Sequence, residues 1–471
     1  MSGISAVGAN IPMYRLARKA FADAWGTGGG AGERSVVNHD EDTMTMAVNA
    51  VVDLLKAAGR DGVDAVYFAS TTPTYREKSS AVFIAAAADL PASVRTADFG
   101  NTLRAGTQAL LAALDAVNAG TAKNVLVVAS DARNGYPRSD FESAFGDAAA
   151  AVLVTKDAAT QVLSRATTSN EINDIWRRDS DDFVRSWEDR FIVQHGYEAS
   201  MKAAVQAALK QANLKPADVT KVAMYGPETR SHAGLVRSLG FDPKQVQDPL
   251  LGSVGNVGAA HALLVLAAAL EQAKPGDKVL VASYGDGADA LVLEVKQPVK
   301  HARGVAGHLA SKRPLPSYER FVAYRNVVTT NPEAPLRVEA WAGSTVAWRD
   351  QRQTIRLHAG KCNQCGTTAH PIQRVCYNCR SKDNFTEVRL YDKPAQVYAF
   401  TRDNLAGGLE PPVLNCVIES DEGKARIFAI MTDADPAKLA IGQRVEFTFR
   451  KMHEAAYQHN YYWKVRPVDG K

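Results

Sequence analysis

The first 361 residues of this 471-residue chain contain no cysteine. All five cysteines lie beyond them, four in one pattern, Cys362-x2-Cys365-x10-Cys376-x2-Cys379. Thiolate nucleophilic catalysis is therefore excluded from the larger part of the chain. Long apolar runs are also missing. No uncharged apolar stretch approaches the roughly 18 residues of a membrane helix, so no span is predicted. The opening segment MSGISAVGANIP lacks the basic stretch and apolar run of a secretory signal. Together with paired knuckles, which bind metal in a reducing compartment, this predicts a cytoplasmic protein. Charge of one sign is scarce: 55 Lys and Arg stand against 51 Asp and Glu, for a net charge of +4. Neither a nucleic acid nor a membrane surface is expected as partner.

What is present is a repeat. Residues 47–70 read as a helix, AVNAVVDLLKAAG, then a strand, AVYFAS; residues 201–227 repeat that plan as MKAAVQAALKQANL and KVAMYGP. Residues 107–154 give an alanine-leucine helix, TQALLAALDAVNAG, and two strands; residues 260–295 repeat it with HALLVLAAALEQA. Apolar spacing at i, i+3 and i+4 supports the helices, and valine-rich runs support buried strands. The helix TQALLAALDAVNAG is apolar nearly all round, which implies burial between layers. Duplication has a geometric consequence. Four equivalent loops should meet near a pseudo-twofold axis: after Phe68, before Ala105, after Met224, and at Gly255-Asn256. Ligands of α/β sheets sit at strand carboxyl ends and helix N-termini, so the site is sought there.

Past residue 296 the pattern changes. HARGVAGHLASKRPLPSYERF reads as a basic linker packing through Tyr318, Phe321 and Tyr324. The four thiolates of Cys362, Cys365, Cys376 and Cys379 suit one tetrahedral, structural zinc. His370, between the knuckles, reads as a surface residue, and Cys416 as core. Short strand-like runs then follow to the end, as in a small barrel of the OB type.

The segments GISAVGANIPMYR, SVVNHDEDTMTMAV, TADFGNTLRAGTQAL, WRR at 176–178, GNVGAAH and SYGDGADA resemble hydroxymethylglutaryl-CoA synthase of the thiolase superfamily. The resemblance runs from about residue 3 to 296. The remainder resembles the zinc-ribbon/OB-fold partner proteins of acyl-CoA thiolases, here fused. It implies a thiolase-like duplicated five-layer αβαβα fold, then a rubredoxin-like ribbon and an OB-type β-barrel. The domains are expected at 1–160 and 161–296 for the two halves, 297–361 for the linker, 362–387 for the ribbon and 388–471 for the barrel. It also implies a homodimer or higher homo-oligomer, paired through the strand in AADLPASVRTADF, with coenzyme A thioesters as substrate or product.

The family's catalytic residues do not carry over. Where it places glutamate, cysteine and histidine, this chain has Thr71, Leu103 and Tyr225. Leu103 cannot be acylated. Asn256 of the Gly255-Asn256 turn remains and can offer an amide to an oxyanion. Tyr225 can give a proton to an alkoxide. His261 opens the second buried helix and is the third catalytic candidate, although a lone histidine there serves equally as core. Thr71, Tyr75, Leu103, Gly255, Gly285 and Gly287 are expected to line the substrate site. Arg450 and Lys451, with Arg303, Lys312 and Arg313, are expected to meet CoA phosphates. The leading functional reading is aldol or retro-aldol chemistry on a β-hydroxyacyl-CoA. Thiolase-like aldolases of steroid breakdown, which also lack the cysteine and pair with a ribbon/OB protein, supply the precedent by resemblance. The alternatives are an acyltransferase with direct attack by CoA, and a non-catalytic scaffold subunit of an active thiolase.

Overall fold

Runs that are apolar on both faces can only be buried strands, and here they make two sheets. The computed structural model describes residues 2–27, 30–328, 343–406, 409–455 and 458–468. The first sheet has the order Ser2–Asn10, Asp147–Lys156, Asn124–Ala132, Ala65–Ala69, Arg95–Phe99. The last three strands run parallel, and the first two join antiparallel. The second sheet has the order Thr160–Ser169, Gly287–Val295, Lys278–Tyr284, Lys221–Met224, and in that order its first two pairings are antiparallel and its last parallel, as in the first sheet. The counterpart of Arg95–Phe99 is reduced to a bridge between Val222 and Val246. The duplication read from the sequence is thus a duplication of topology.

The helices Ala105–Asn118 and His261–Leu270 lie between the sheets and share one apolar core with both. Every residue of His261–Leu270 is buried, as an all-apolar helix requires. Thr43–Ala58 covers the outer face of the first sheet and Ala199–Gln211 that of the second. The start of Thr43–Ala58 is fixed by a capping box. The Asp42 carboxylate accepts from the Thr45 amide at 2.9 Å, and the Thr45 hydroxyl accepts from the Asp42 amide at 2.8 Å. This is the thiolase-type layered α/β architecture.

The first compact unit runs on to Val327. Residues 297–327 are therefore built into it rather than spanning freely. They form the helices Gly304–Ala310 and Tyr318–Tyr324, and Phe321 packs edge-on to Phe21 at 5.0 Å. Tyr318 donates to the Glu142 carboxylate at 2.6 Å.

The second unit comprises residues 39–41, 86–89 and 328–471. Its strand His358–Cys362 pairs with Thr368–Ala369 and Phe385–Arg389. Five further strands close a barrel in the order Ala395–Asp403, Val413–Ser420, Arg426–Met431, Gln458–Pro467, Arg444–Ala455. Cys416 is fully buried there, and Trp463 stacks on Tyr391 at 4.2 Å. Arg450 is fully buried as well. It pairs with Asp40 at 2.8 Å, Glu41 at 3.1 Å and Asp433, while Lys464 reaches Asp40 at 2.8 Å. Burial works against the Asp40 charge, but Lys464 and Arg450 hold its carboxyl well below the usual range. This corrects the expectation that Arg450 meets a phosphate: its donors are spent on three carboxylates out of contact with solvent. Lys451 is bound to Glu454 at 2.6 Å.

Candidate functional site

All four loops singled out by the repeat converge in the first unit. Tyr225 directly follows the strand Lys221–Met224, and its amide extends the ladder to the Ala282 carbonyl at 2.9 Å. Its own carbonyl accepts from the Tyr197 hydroxyl at 3.0 Å. Asn256 is clamped through its backbone. Its amide donates to the Ala144 carbonyl at 2.8 Å, and its carbonyl accepts from the Gly146 amide at 3.0 Å. Gly255, at φ +97°, is required there because a Cβ would lie 2.9 Å from the Ala144 oxygen.

These two backbones bring the side chains together. Asn256 Nδ2 donates to Tyr225 Oη at 2.9 Å and to the Gly226 carbonyl at 3.2 Å. Both amide hydrogens are thereby used. Tyr225 Oη accepts from Asn256, and its own proton meets no acceptor among the described residues. Burial raises the phenol above its ordinary pKa, while the charge of Arg133 and the Asn256 bond pull it back in part. The hydroxyl stays protonated at neutral pH, as an acid and not a base.

Leu103 lies just before the helix Ala105–Asn118. It packs in one apolar cluster with Tyr197, Tyr225 and Tyr284. Gly285 lies against it: a Cβ there would come 2.8 Å from the Leu103 amide. Gly287, at φ +118°, approaches the Thr168 carbonyl so closely that a Cβ would stand 2.1 Å away. His261 presents its ring edge-on to Tyr225 with centroids 5.4 Å apart, a packing contact rather than a hydrogen bond. Its Nδ1 accepts from the Val257 amide at 3.4 Å. Burial, aided by His232, brings its pKa down to about 3, so the ring is neutral.

Thr71 enters the site through an aspartate that the sequence does not advertise. Asp131 is fully buried at the end of Asn124–Ala132. It accepts from the hydroxyls of Ser70 at 2.8 Å and Thr71 at 2.8 Å, and from the amides of Thr71 at 2.7 Å and Ala259 at 2.7 Å. It therefore ties the first repeat's loop to the turn before His261. Tyr75 is half-buried on the same loop. Arg133, two residues on, is buried with Nη1 at 3.4 Å from Asn256 Oδ1. Beyond it, the Tyr284 hydroxyl donates to Asp174 at 2.6 Å. Asp131, Arg133 and Asp174 are additions to the residues chosen from sequence. The only signal for the first two is a charged pair directly after the apolar run NVLVVAS.

In the second unit, Cys362, Cys365, Cys376 and Cys379 hold their sulfurs within 4.8 Å of one another. The pairs Cys362–Cys379 and Cys365–Cys376 are 3.6 Å apart. A tetrahedron with zinc–sulfur bonds of about 2.3 Å has edges of about 3.8 Å, so the set fits one such ion. His370 is turned away, with Nε2 at 3.0 Å from the Gln353 carbonyl.

Comparison with known proteins agrees with this geometry. The family description of 3-oxoacyl-[acyl-carrier-protein] synthase III matches residues 97–171, and that of its C-terminal part matches residues 209–295. The hydroxymethylglutaryl-CoA synthase of Methanopyrus kandleri is 30% identical over 348 residues, covering 71% of this chain and 97% of that protein. That of Pyrococcus horikoshii is 29% identical, covering 69% and 93%. Among solved structures, an HMG-CoA synthase complexed with CoA aligns with TM-score 0.62 and 20% identity over 68% of this chain and 89% of that one. The synthase III of Aquifex aeolicus aligns with TM-score 0.57 and 24% identity over 62% and 100%.

Proposed function

The chain belongs to the hydroxymethylglutaryl-CoA synthase family of the thiolase superfamily, and from that membership we propose that its first unit makes or breaks a carbon–carbon bond in an acyl-CoA without an acyl-cysteine. One observation carries the reading: a buried Tyr225–Asn256 pair at 2.9 Å, where Tyr225 keeps its own proton free to give. The step fitting that pair runs through a thioester enolate and a β-alkoxide. In the bond-forming direction the enolate carbon attacks a carbonyl carbon, and the electron pair moves to the oxygen, which takes the Tyr225 proton. Cleavage is the reverse of this step and starts from the phenolate that it leaves: that phenolate takes the β-hydroxyl proton as the bond breaks, and the enolate is then protonated from solvent. No sulfur takes part. The substrate class is then a β-hydroxyacyl-CoA or its two fragments. One solved neighbour is described as complexed with CoA and another with 3-hydroxy-3-methylglutaryl coenzyme A, a thioester of that class.

The relatives' names favour a second reading. As synthases they point to an acyltransferase, which here, lacking the cysteine, would join two bound thioesters with release of one CoA, or split a β-ketoacyl-CoA by direct attack of a CoA thiol. We also assign one structural zinc to the four cysteines and read the barrel, from its strand order, as OB type.

The test offers the full chain a panel of β-hydroxyacyl-CoA and β-ketoacyl-CoA thioesters and identifies products by mass spectrometry. Release of an aldehyde or ketone with a shortened acyl-CoA supports the aldol reading; acyl transfer to free CoA supports the other. Tyr225→Phe keeps the ring and should lower the rate roughly 10²- to 10⁴-fold. Full activity of that variant, or an acyl-enzyme on the wild-type chain, sinks the proposal.

A further inference from the structure

Arg133 is a buried cation that the structure leaves short of partners. It is 2% exposed, just past the end of Asn124–Ala132. Its guanidinium lies over the Phe145 ring at 4.1 Å from the centroid. Nη1 makes one long bond, 3.4 Å to Asn256 Oδ1, and Nη2 makes none among the described residues. The two carboxylates whose charge reaches it are Asp131 and Asp174. Both are engaged elsewhere. Asp131 serves Ser70, Thr71, Thr72 and Ala259. Asp174 serves the Tyr284 hydroxyl and the Ile175 amide. A buried charge without an ion-pair partner is among the most costly groups a fold can carry.

Asn256, the residue suited to an oxyanion by sequence, spends both amide hydrogens on Tyr225 Oη and the Gly226 carbonyl. Nη2 of Arg133 is a buried side-chain donor beside it with no partner among the described residues. Phe145 covers one face of the guanidinium, so its in-plane N–H groups are what can meet an oxygen. We propose that Arg133 is a catalytic residue that holds the negatively charged oxygen of the acyl-CoA thioester in its enolate form. Asn256 is then a positioning residue, linking Arg133 to Tyr225 and aiming the phenol. The positive charge and the proton donor flank the reacting carbons, one at the thioester oxygen and the other at the β-oxygen. This inference rests on the acyl-CoA reading above.

The experiment uses the full chain and two stable CoA thioethers, with binding measured by calorimetry. Carboxymethyl-CoA places a carboxylate where the enolate oxygen would stand; carbamoylmethyl-CoA has the same shape without charge. Wild type should prefer the carboxylate about 10- to 100-fold, the span of a charge-assisted hydrogen bond. Arg133→Met should bring that ratio close to one, and Arg133→Lys should lower it in part. A ratio near one in wild type overturns the role of Arg133 alone, since both ligands still bind. Failure of both ligands to bind wild type overturns the acyl-CoA reading with it. If Arg133→Met does not fold, Arg133→Lys decides: a ratio equal to wild type overturns the proposal, and a reduced one supports it.

Discussion

Tyr225 and Leu103 share one buried apolar cluster, and the neutral Tyr225–Asn256 pair stands beside buried Arg133. His261 illustrates how strongly burial acts here. Its pKa falls to about 3, with burial the first cause, against about 6.5 in an unfolded chain. The folded form therefore resists protonation. The stability this contributes is present above pH 6.5 and is lost as pH falls towards 3, because the unfolded chain binds a proton first. Denaturation followed from pH 7 to pH 4 should show acid destabilisation, with this one group adding up to about 1.4 kcal/mol per pH unit. His261→Gln should flatten that slope; an unchanged slope would show that the ring is already charged in the fold. At this scale the sequence was informative where a residue departed from a motif. The departures that the resemblance implies at Thr71, Leu103 and Tyr225 are visible in the sequence itself. Asp131 and Arg133 could not, since a charge at the end of an apolar strand reads as an exit to solvent. Only tertiary packing turns these two inward. Arg450 misled for a related reason: an arginine in a strand looks like surface until the adjacent Asp40 and Glu41, distant in sequence, join Asp433 around it.

Among elements, the turn before His261–Leu270 is tightly constrained. Gly258 has φ +58°, and a Cβ there would stand 2.2 Å from Asp131 Oδ2. Gly276, at φ +92°, has nothing within 4 Å. Both pay the left-handed penalty of about 1–2 kcal/mol when replaced by alanine. Only Gly258→Ala must also displace the Asp131 carboxylate and its bonds to Thr71 and Ala259. Urea denaturation should therefore find Gly258→Ala clearly less stable than Gly276→Ala; equal losses would mean that the Asp131 hub yields without cost. The repeat that located this turn was legible because helix and strand periods recur in the same order in both halves. The built-in segment 297–327 was less so. Its prolines and basic residues suggest a linker, while Phe321 finds Phe21 and Arg34, both far off in sequence, as partners.

For the whole molecule, the ribbon makes the first prediction. Elemental analysis should find one zinc per chain, and a strong chelator should lower the melting temperature of the second unit, because a closed four-sulfur site contributes folding energy directly. Folded protein without metal would refute it. The second concerns assembly. Arg95–Phe99 ends the first sheet, and light scattering at micromolar concentration should report a homodimer; a monomer would count against it.

The unequal sheets bear on how such assembly stops. A duplicated fold with two matching outer strands could offer two equivalent sticky edges, one from each half, and copies could then add in a row without limit. Here the second half has shrunk its outermost strand to the Val222–Val246 bridge. That leaves the fully formed strand on one half alone. Pairing of that strand with its own copy about a twofold axis uses up the edge on both partners at once. In the predicted homodimer, the imperfection in the internal symmetry would act as a terminator, favouring a closed pair over an open fibre.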